Sequence, residues 1–360
     1  MTMTRRTVTT AGGAAFLVAC SGASTTGAGS ERAPRPLVIA HRGASADRPE
    51  HTLGAYQLGI DQGADFIEPD LVMTKDGVLV CRHECEIGET TDVASRPEFA
   101  DRRATKTIDG ESFTGWFAED FTLAELKTLR CKERLPQLRP QNMAYDGQET
   151  IPTFAEAAAL ANAAGVGIYP ELKHPTYLTA VGLDPVPALM EALRAADLAM
   201  ARERVFVQCF ELGPLQRIAS VSSMQVACIQ LISADGAPVD GEGLTYADLI
   251  TDEGLGRIAD YAVGIGVQKT LITPWNPEDG LSAPTDLVAR AHAAGLKVHA
   301  WTVRPENYFL PVEMRRGDDL AAPGDVAAEI RLLLDQGVDG LFCDRPSDAV
   351  AVLADWSAPA

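Results

Sequence analysis

Two histidines, His41 and His83, stand just beyond short apolar runs that have the composition of buried strands. Arg42 and Gly43 follow His41 directly, so a titratable ring, a fixed cation and a flexible residue meet at one predicted strand end. Parallel α/β folds gather their active-site residues at the C-terminal ends of strands. An imidazole held beside charged groups is suited to proton transfer, so we predict that His41 and His83 form a catalytic acid and base pair.

Three carboxylates accompany the histidines. Glu68 and Asp70 are two residues apart on one predicted strand, which points both side chains to the same face. Buried acids are costly unless a cation joins them. Glu171 ends another predicted strand, with Lys173 two residues further on. The set predicts a divalent metal held by Glu68, Asp70 and Glu171, beside a phosphate ester whose oxygens are bound by Arg42 and Lys173.

Other residues at predicted strand ends supply substrate-binding candidates, namely Gln208, Phe210 and Trp301. Arg304 and Asp344 also fall at predicted strand ends. Each candidate also has a structural interpretation. The acids and cations would equally form a salt-bridge network, and Trp301 is of a type more often found in a core. The remaining histidines are interpreted as ordinary hydrogen-bonding residues: His51, His174, His292 and His299. What favours a functional site is that all these residue types fall at the ends of successive strands.

The elements that would position these residues alternate along the chain. Eight strand-like runs separated by helical patterns indicate an α/β fold of the (β/α)8 TIM-barrel type. The short turn after residue 73 makes residues 78–81 a hairpin extension rather than a barrel strand. Residues 84–148 are polar and lack strong strand patterns, which predicts a small insertion over one end of the barrel. The strands are predicted at residues 37–40, 64–72, 166–172, 205–210, 225–231, 262–267, 297–303 and 340–343.

The N-terminus has the pattern of an export signal. Arg5 and Arg6 precede an uncharged run, and Leu17-Val18-Ala19-Cys20 resembles a lipoprotein cleavage site. We therefore expect residues 1–19 to be a signal peptide, Cys20 to carry a lipid anchor and residues 20–36 to form a flexible tether. An exported location, periplasm or cell surface, would permit a disulfide between Cys85 and Cys131.

The composition limits the partners. The formal net charge of −19 disfavours nucleic acid, so an anionic substrate must be drawn in by a local cationic site. The only membrane contact that we expect is through the N-terminal lipid. No dinucleotide or GxxxxGK phosphate-binding fingerprint occurs in the sequence.

Several of these segments together resemble the glycerophosphodiester phosphodiesterase family, in particular its exported bacterial type. The opening motif is His41-Arg42-Gly43-Ala44-Ser45 with Arg48-Pro49-Glu50-His51-Thr52, followed by Glu68-Pro69-Asp70 and by His83. Weaker matches are Glu171-Leu172-Lys173, Gln208-Cys209-Phe210, Trp301-Thr302-Val303-Arg304 and Gly340 to Pro346. Glu84 stands where the family usually has aspartate.

The resemblance implies a function and a set of roles. His41 and His83 would be the acid and base pair, and Glu68, Asp70 and Glu171 would bind a metal, Ca²⁺ in the first place and Mg²⁺ as the alternative. Glu50 would support the site or approach the metal. The implied reaction is the hydrolysis of a small glycerophosphodiester to sn-glycerol 3-phosphate and an alcohol. Two alternatives stay open, a phospholipase D-like activity on lysophospholipids and a non-catalytic phosphodiester-binding lipoprotein.

Overall fold

The computed structural model describes residues 35–221, 223, 225–276 and 280–358. Their central feature is a closed barrel of eight parallel strands. The first strand pairs with both the second and the eighth, and every other barrel strand pairs with its neighbours in sequence order. The strands are Leu37–His41, Phe66–Glu68 with Asp70–Met73, Gly167–Ile168 with Glu171–Leu172, Phe206–Cys209, Ala227–Ile232, Gly264–Gln268, Lys297–Val303 and Gly340–Cys343. The predicted TIM barrel is confirmed.

Two barrel strands differ from the prediction, because each is divided into two segments. The breaks fall at Pro69 and Pro170, which have no backbone N–H to donate to a neighbouring strand. Their carbonyls still accept hydrogen bonds, from the N–H groups of Glu171 and Gln208 respectively, at 2.9 Å in each case. The barrel therefore stays closed across both breaks.

Helices cover the outside of the barrel, as the alternating pattern predicted. Several of these helices begin directly after a residue whose side chain accepts a hydrogen bond from the first turn, for example Thr52, Thr153 and Thr251. The helices are Leu53–Asp61, Leu123–Leu126, Phe154–Ala164, Pro175–Ala180, Pro185–Ala195, Leu212–Ala219, Tyr246–Leu249, Asp252–Ala259, Leu287–Ala293, Val326–Asp335 and Pro346–Asp355. Among the described residues, no helix has the length and apolar character that crossing a membrane requires.

The core has two parts. Rings such as Phe66, Tyr169, Phe206 and Phe342 fill the barrel interior and contact one another at centroid distances of 5.0–6.1 Å. A larger apolar layer lies between the strands and the helices. Because side chains fill the interior, a site must lie at an end of the barrel, and (β/α)8 barrels place it at the C-terminal end of the strands.

The region after the barrel's second strand contains the predicted hairpin extension, in which Asp70–Met73 pairs antiparallel with Leu79–Cys81. The insertion at 84–148 follows it. The insertion holds an antiparallel hairpin that the sequence pattern did not indicate, Ala104–Ile108 with Glu111–Gly115. Asp109 and Gly110 both have positive φ, the requirement of a two-residue hairpin turn. This hairpin is largely exposed, so it lacks the apolar alternation that marks a buried strand.

The predicted signal peptide and almost all of the predicted tether lie outside the described residues. Cys85 and Cys131 are buried free thiols, so the disulfide considered above is not formed in the structure. The Cys131 sulfur instead accepts a hydrogen bond from Arg82 at 2.6 Å.

Candidate active site

Strand register brings the three candidate metal ligands together. Glu68 lies beside His41 across the first two strands, while Asp70 lies beside Glu171, and Glu171 beside Gln208. One oxygen from each of Glu68, Asp70 and Glu171 falls within 4.8 Å of the others, and all three residues are buried. The predicted carboxylate cluster is therefore present in the structure.

The electrostatics of this cluster favour an added cation. Burial, together with the neighbouring acids Asp70 and Glu171, raises the pKa of Glu68 well above its ordinary value. Burial also raises the pKa of Glu171 to about 8, although Lys173 acts in the opposite direction. Gln208 donates to Glu68 at 3.0 Å, and its own side-chain oxygen is buried without a hydrogen-bond partner. Clustered carboxylates and an unsatisfied amide oxygen are the donor set that Ca²⁺ or Mg²⁺ prefers, so these residues fit such an ion.

The two predicted phosphate-binding cations flank Asp70. Arg42 Nε lies 3.1 Å from Asp70 Oδ2, and Lys173 Nζ lies 3.5 Å from Asp70 Oδ1 and 2.6 Å from Glu171. Burial alone would raise the pKa of Asp70, but Lys173 and Arg42 lower it well below its ordinary value. Glu50, predicted to support the site, accepts a hydrogen bond from Arg42 at 3.1 Å. Asp70 is thus held ionised within the carboxylate cluster.

The turn after the first strand explains how Arg42 reaches this position. Arg42 has a φ of +60°, and its backbone N–H donates to Glu68 at 2.9 Å. Gly43 follows with a φ of +86°, and a Cβ there would come within 2.5 Å of the backbone carbon of Ala55. Only glycine fits this contact, so Gly43 keeps the turn close to the first helix.

Each predicted catalytic histidine is oriented by a carboxylate. His41 Nδ1 lies 2.6 Å from Asp344 Oδ1, and His83 Nδ1 contacts a side-chain oxygen of Glu84. In both rings, Nδ1 is therefore engaged and Nε2 is left for chemistry. Burial, with a further contribution from Arg42, lowers the pKa of His41 to about 4 and that of His83 to about 3. Both rings are neutral near neutral pH in the absence of substrate.

A cavity of about 280 Å³ joins these groups at the C-terminal end of the barrel. Most of the predicted site residues line it, together with Arg304: His41, Arg42, Glu68, His83, Glu171, Lys173, Gln208, Phe210 and Trp301. Asp70 and Glu50 lie behind this surface and hold the residues that face the cavity. Trp301 is partly exposed at the cavity wall, where its Nε1 donates to the carbonyl of Gly266 at 3.0 Å.

Sequence reasoning missed two arginines of the insertion. Arg139 donates to Asp344 at 2.5 Å and to Glu306 at 2.6 Å. Arg134 donates to Glu50 at 2.6 and 2.8 Å, and to Glu84 at 2.6 and 2.8 Å. Each arginine thus holds the carboxylate that orients one histidine. The polar insertion has no periodicity that would identify these two among its arginines.

His51 was interpreted as an ordinary hydrogen-bonding residue, but its partner is a candidate metal ligand. Its Nε2 lies 2.9 Å from Asp70, and its Nδ1 lies 2.8 Å from the hydroxyl of Tyr56. Its position next to Glu50 in the opening motif was the available signal. The other histidines fit their interpretation: His174 and His292 contact Asp109 and Asp339, and His299 is a buried core residue.

Comparison with known proteins assigns this arrangement to a family. The model of the glycerophosphoryl diester phosphodiesterase family matches residues 41–348, a segment that contains every candidate site residue. The chain belongs to this family. It is accordingly an enzyme, and the (β/α)8 barrel is the scaffold on which its site is built.

Two curated relatives align with most of this chain. A glycerophosphodiester phosphodiesterase of Arabidopsis thaliana, GDPD6, is 38% identical over 86% of this chain and 84% of its own length. A glycerophosphodiester phosphodiesterase of Haemophilus influenzae is 27% identical over 94% of this chain and 96% of its own.

Solved family structures share the fold. A phosphodiesterase of Oleispira antarctica in complex with its product sn-glycerol 3-phosphate has a TM-score of 0.59 at 24% identity, with 89% of this chain and 97% of that chain covered. A glycerophosphodiester phosphodiesterase of Agrobacterium tumefaciens has a TM-score of 0.55 at 18% identity, with 88% and 99% covered.

Proposed function

We propose that this enzyme hydrolyses glycerophosphodiesters to sn-glycerol 3-phosphate and an alcohol, with a divalent cation held by Glu68, Asp70 and Glu171. The proposal rests on one observation. This carboxylate cluster, two imidazoles that are oriented by carboxylates, and two cations all lie around one cavity. The names of the curated relatives and the product bound by the Oleispira enzyme support the choice of substrate.

Ca²⁺ is the proposed ion, with Mg²⁺ as the alternative. The donors are oxygens alone and belong to three different strand segments, which suits the variable geometry that Ca²⁺ accepts better than the strict octahedron of Mg²⁺. A bound divalent cation would polarise a phosphoryl oxygen and offset its charge. Arg42 and Lys173, which face the same cavity, bind the other phosphoryl oxygen and orient the diester.

The two imidazoles transfer the protons. One Nε2 accepts the proton of the attacking oxygen, which in this proposal is the 2-hydroxyl of the glycerol part, and the other protonates the oxygen of the departing alcohol. The internal attack benefits from proximity and gives a cyclic phosphate, which water then opens. The diester brings a negative charge beside the imidazole that acts as the acid, which raises the low pKa of that ring and allows it to hold a proton.

The test is the hydrolysis of glycerophosphocholine by the purified chain. We expect His41→Ala and His83→Ala each to lower kcat by about 10² to 10⁴-fold, the usual contribution of general acid–base catalysis. His292→Ala is the matched control, because this histidine lies on the surface and contacts Asp339. Full activity of both site variants would contradict the assigned roles. Hydrolysis of lysophosphatidylcholine alone would favour the phospholipase D-like alternative.

Metal dependence has its own measurement. Calorimetric titration of the metal-free chain with Ca²⁺ is expected to show one site, which Glu171→Gln weakens by about tenfold or more because a charged ligand is lost. Chelation is expected to abolish hydrolysis, and Ca²⁺ to restore it. Unchanged turnover in chelator, with no heat of Ca²⁺ binding, would remove the ion from the proposal.

We also propose export and lipid anchoring, on the strength of Arg5, Arg6 and the segment ending at Cys20. Cys20→Ala is expected to release the protein from the membrane fraction of a bacterial expression host and to prevent labelling by radioactive palmitate. Equal membrane association of variant and parent would contradict the anchor.

A further inference from the structure

Two further cavities adjoin the central one on either side of Trp301, which lines all three. The central cavity of about 280 Å³ lies at the small end of the range for ligand sites, about 300–1,000 Å³. A diester with a large alcohol part would therefore extend into one of its neighbours. The two neighbours differ in the chemistry of their walls.

The first neighbour, which we call the basic cavity, has a volume of about 470 Å³. It shares Trp301, Thr302 and Arg304 with the central cavity, so the two are continuous at the end of the seventh barrel strand. Its charged lining residues are cations, and none of its described lining residues is an acid: Lys269, Arg304 and Arg315.

Hydrogen-bond donors dominate the wall of the basic cavity. Lys269 pairs with Glu329 at 2.6 Å and Arg304 pairs with Asp344 at 3.1 Å. Within the described residues Arg315 has no carboxylate partner, so it supplies the available charge. Arg315 donates from Nε to the carbonyl of Leu310 at 3.0 Å, which fixes its guanidinium at the wall. The indole nitrogen of Trp275 and the hydroxyl of Thr270 are buried without hydrogen-bond partners. Unsatisfied buried donors of this kind call for an acceptor, which an anionic oxygen would supply.

Aromatic rings complete the wall. Arg304 lies over the ring of Phe309 at 4.5 Å, and Trp275, Trp301 and Tyr308 also line the cavity. Rings beside donors suit a polyol that presents C–H faces and carries a charged group.

The second neighbour, which we call the acidic cavity, has a volume of about 500 Å³ and lies toward His83. Asp109, Glu111 and Glu211 are among its lining residues. The four carboxylates that line it, those of Asp109, Glu111, Glu171 and Glu211, outnumber its one lysine, Lys173, so an anionic head group is directed to the basic cavity instead.

We propose that the basic cavity binds a second phosphate group, carried by the alcohol part of the substrate, so that phosphorylated polyols are preferred leaving alcohols. This inference rests on the proposed function, since it specifies the head group of the same reaction. The P–O bond to the polyol breaks, the polyol oxygen takes the proton, and the hydroxyl of water ends on the glycerol phosphate. The phosphate on the polyol is unchanged by the reaction and serves only as a group that Arg315 and Arg304 bind.

A matched pair of substrates tests the proposal, namely glycerophosphoinositol and the same diester with a phosphate on inositol position 4. For the full chain with Ca²⁺, we expect KM for the phosphorylated diester to be lower by about tenfold, a typical gain from one charge-assisted contact. Arg315→Gln is expected to remove this preference and to leave kcat/KM for glycerophosphoinositol unchanged. Arg315→Lys, which keeps the charge, is expected to retain part of it.

Arg316→Gln is the control, because the adjacent Arg316 is exposed and pairs with Asp325 outside the cavity. Equal KM values for the two diesters in the parent, or an equal loss for both in Arg315→Gln, would overturn the basic cavity as a phosphate site. In either case the hydrolysis of glycerophosphoinositol would leave the proposed function standing.

A direct measurement covers the case in which neither diester is hydrolysed and the proposed function fails. Calorimetric titration with inositol 4-phosphate is then expected to show binding to the parent and to Arg316→Gln, and none to Arg315→Gln. Binding by none of the three, or equally by all three, would overturn the inference.

Discussion

At the scale of single residues, the candidate site consists of catalytic candidates and the groups that hold them. His41 is held by Asp344, which in turn accepts a hydrogen bond from Arg139. Arg139 is buried, and its other carboxylate partner is Glu306. Such a chain fixes both the tautomer and the direction of the imidazole, and supporting partners of this kind commonly change activity by about 10- to 100-fold. Arg139 is therefore a positioning residue for His41.

We expect Arg139→Gln to lower kcat for glycerophosphocholine by about 10- to 100-fold with little change in KM, because it contacts Asp344 and not the substrate cavity. Steady-state kinetics of the parent and variant measure the two constants. Added guanidinium ion is expected to restore part of kcat, a result that a general loss of structure would not give.

Arg102→Gln is the control, since Arg102 pairs with Glu125 within the same insertion, away from the cavity. Equal losses of kcat in both variants, or no rescue by guanidinium, would contradict positioning through Asp344. A lower melting temperature in Arg139→Gln alone would not contradict it, because two buried carboxylates lose their partner in this variant.

At the scale of elements, the turn from the first strand into the first helix fixes the opening motif. Gly43 and Gly77 both have φ values above +80°, so both positions disfavour a side chain. They differ in space, since a Cβ at Gly43 would contact the backbone of Ala55 at 2.5 Å, whereas a Cβ at Gly77 would meet nothing within 4 Å. A substitution at Gly77 therefore tests backbone strain alone, whereas a substitution at Gly43 tests strain together with a steric clash.

We expect Gly77→Ala to lower the free energy of unfolding by about 1 kcal/mol, the cost of positive φ for alanine. Gly43→Ala is expected to cost about 3 kcal/mol or more, because backbone atoms must also move apart. Urea denaturation of both variants measures the difference. Equal losses would show that the contact with Ala55 does not control this turn.

How far the sequence predicted these elements depended on the range of the interactions. Barrel strands and outer helices follow from local apolar patterns, and local capping boxes at Thr122 and Thr153 begin the helices Leu123–Leu126 and Phe154–Ala164. The contact of Arg139 with Asp344 joins positions 205 residues apart, and no local pattern encodes such a contact. The exposed hairpin of the insertion was missed for a related reason, since its strands bury little and so show little periodicity.

At the scale of the whole molecule, an acidic chain carries its cations where anions must bind. The net charge of −19 repels a phosphodiester on average, yet Arg42, Lys173 and Arg304 line the central cavity. The carboxylates paired with them keep these cations in place. This arrangement directs an anionic substrate to one end of the barrel.

The same burial makes global stability depend on pH. His299 is fully buried in the seventh strand, where the Tyr169 hydroxyl lies 2.8 Å from its Nδ1 and its Nε2 has no hydrogen-bond partner. Burial lowers its pKa to about 4 from an ordinary value of 6.5. Between these two pH values the unfolded chain binds a proton at this position that the folded chain does not, so stability falls as the pH falls from 6.5 to 4.

Replacing His299 by glutamine is expected to remove that part of the pH dependence. At about 1.4 kcal/mol per pH unit, the contribution of His299 reaches on the order of 3 kcal/mol at pH 4, and it is absent above pH 6.5. Urea denaturation of the parent and His299→Gln at pH 7.5, 6, 5 and 4 is expected to show a stability difference that shifts in favour of the variant as the pH falls. His292 is exposed, so the stability of His292→Gln is expected to change with pH in the same way as that of the parent. A constant difference between parent and His299→Gln over this range would mean that His299 takes up its proton in the folded barrel as readily as in the unfolded chain, against the expectation from its burial.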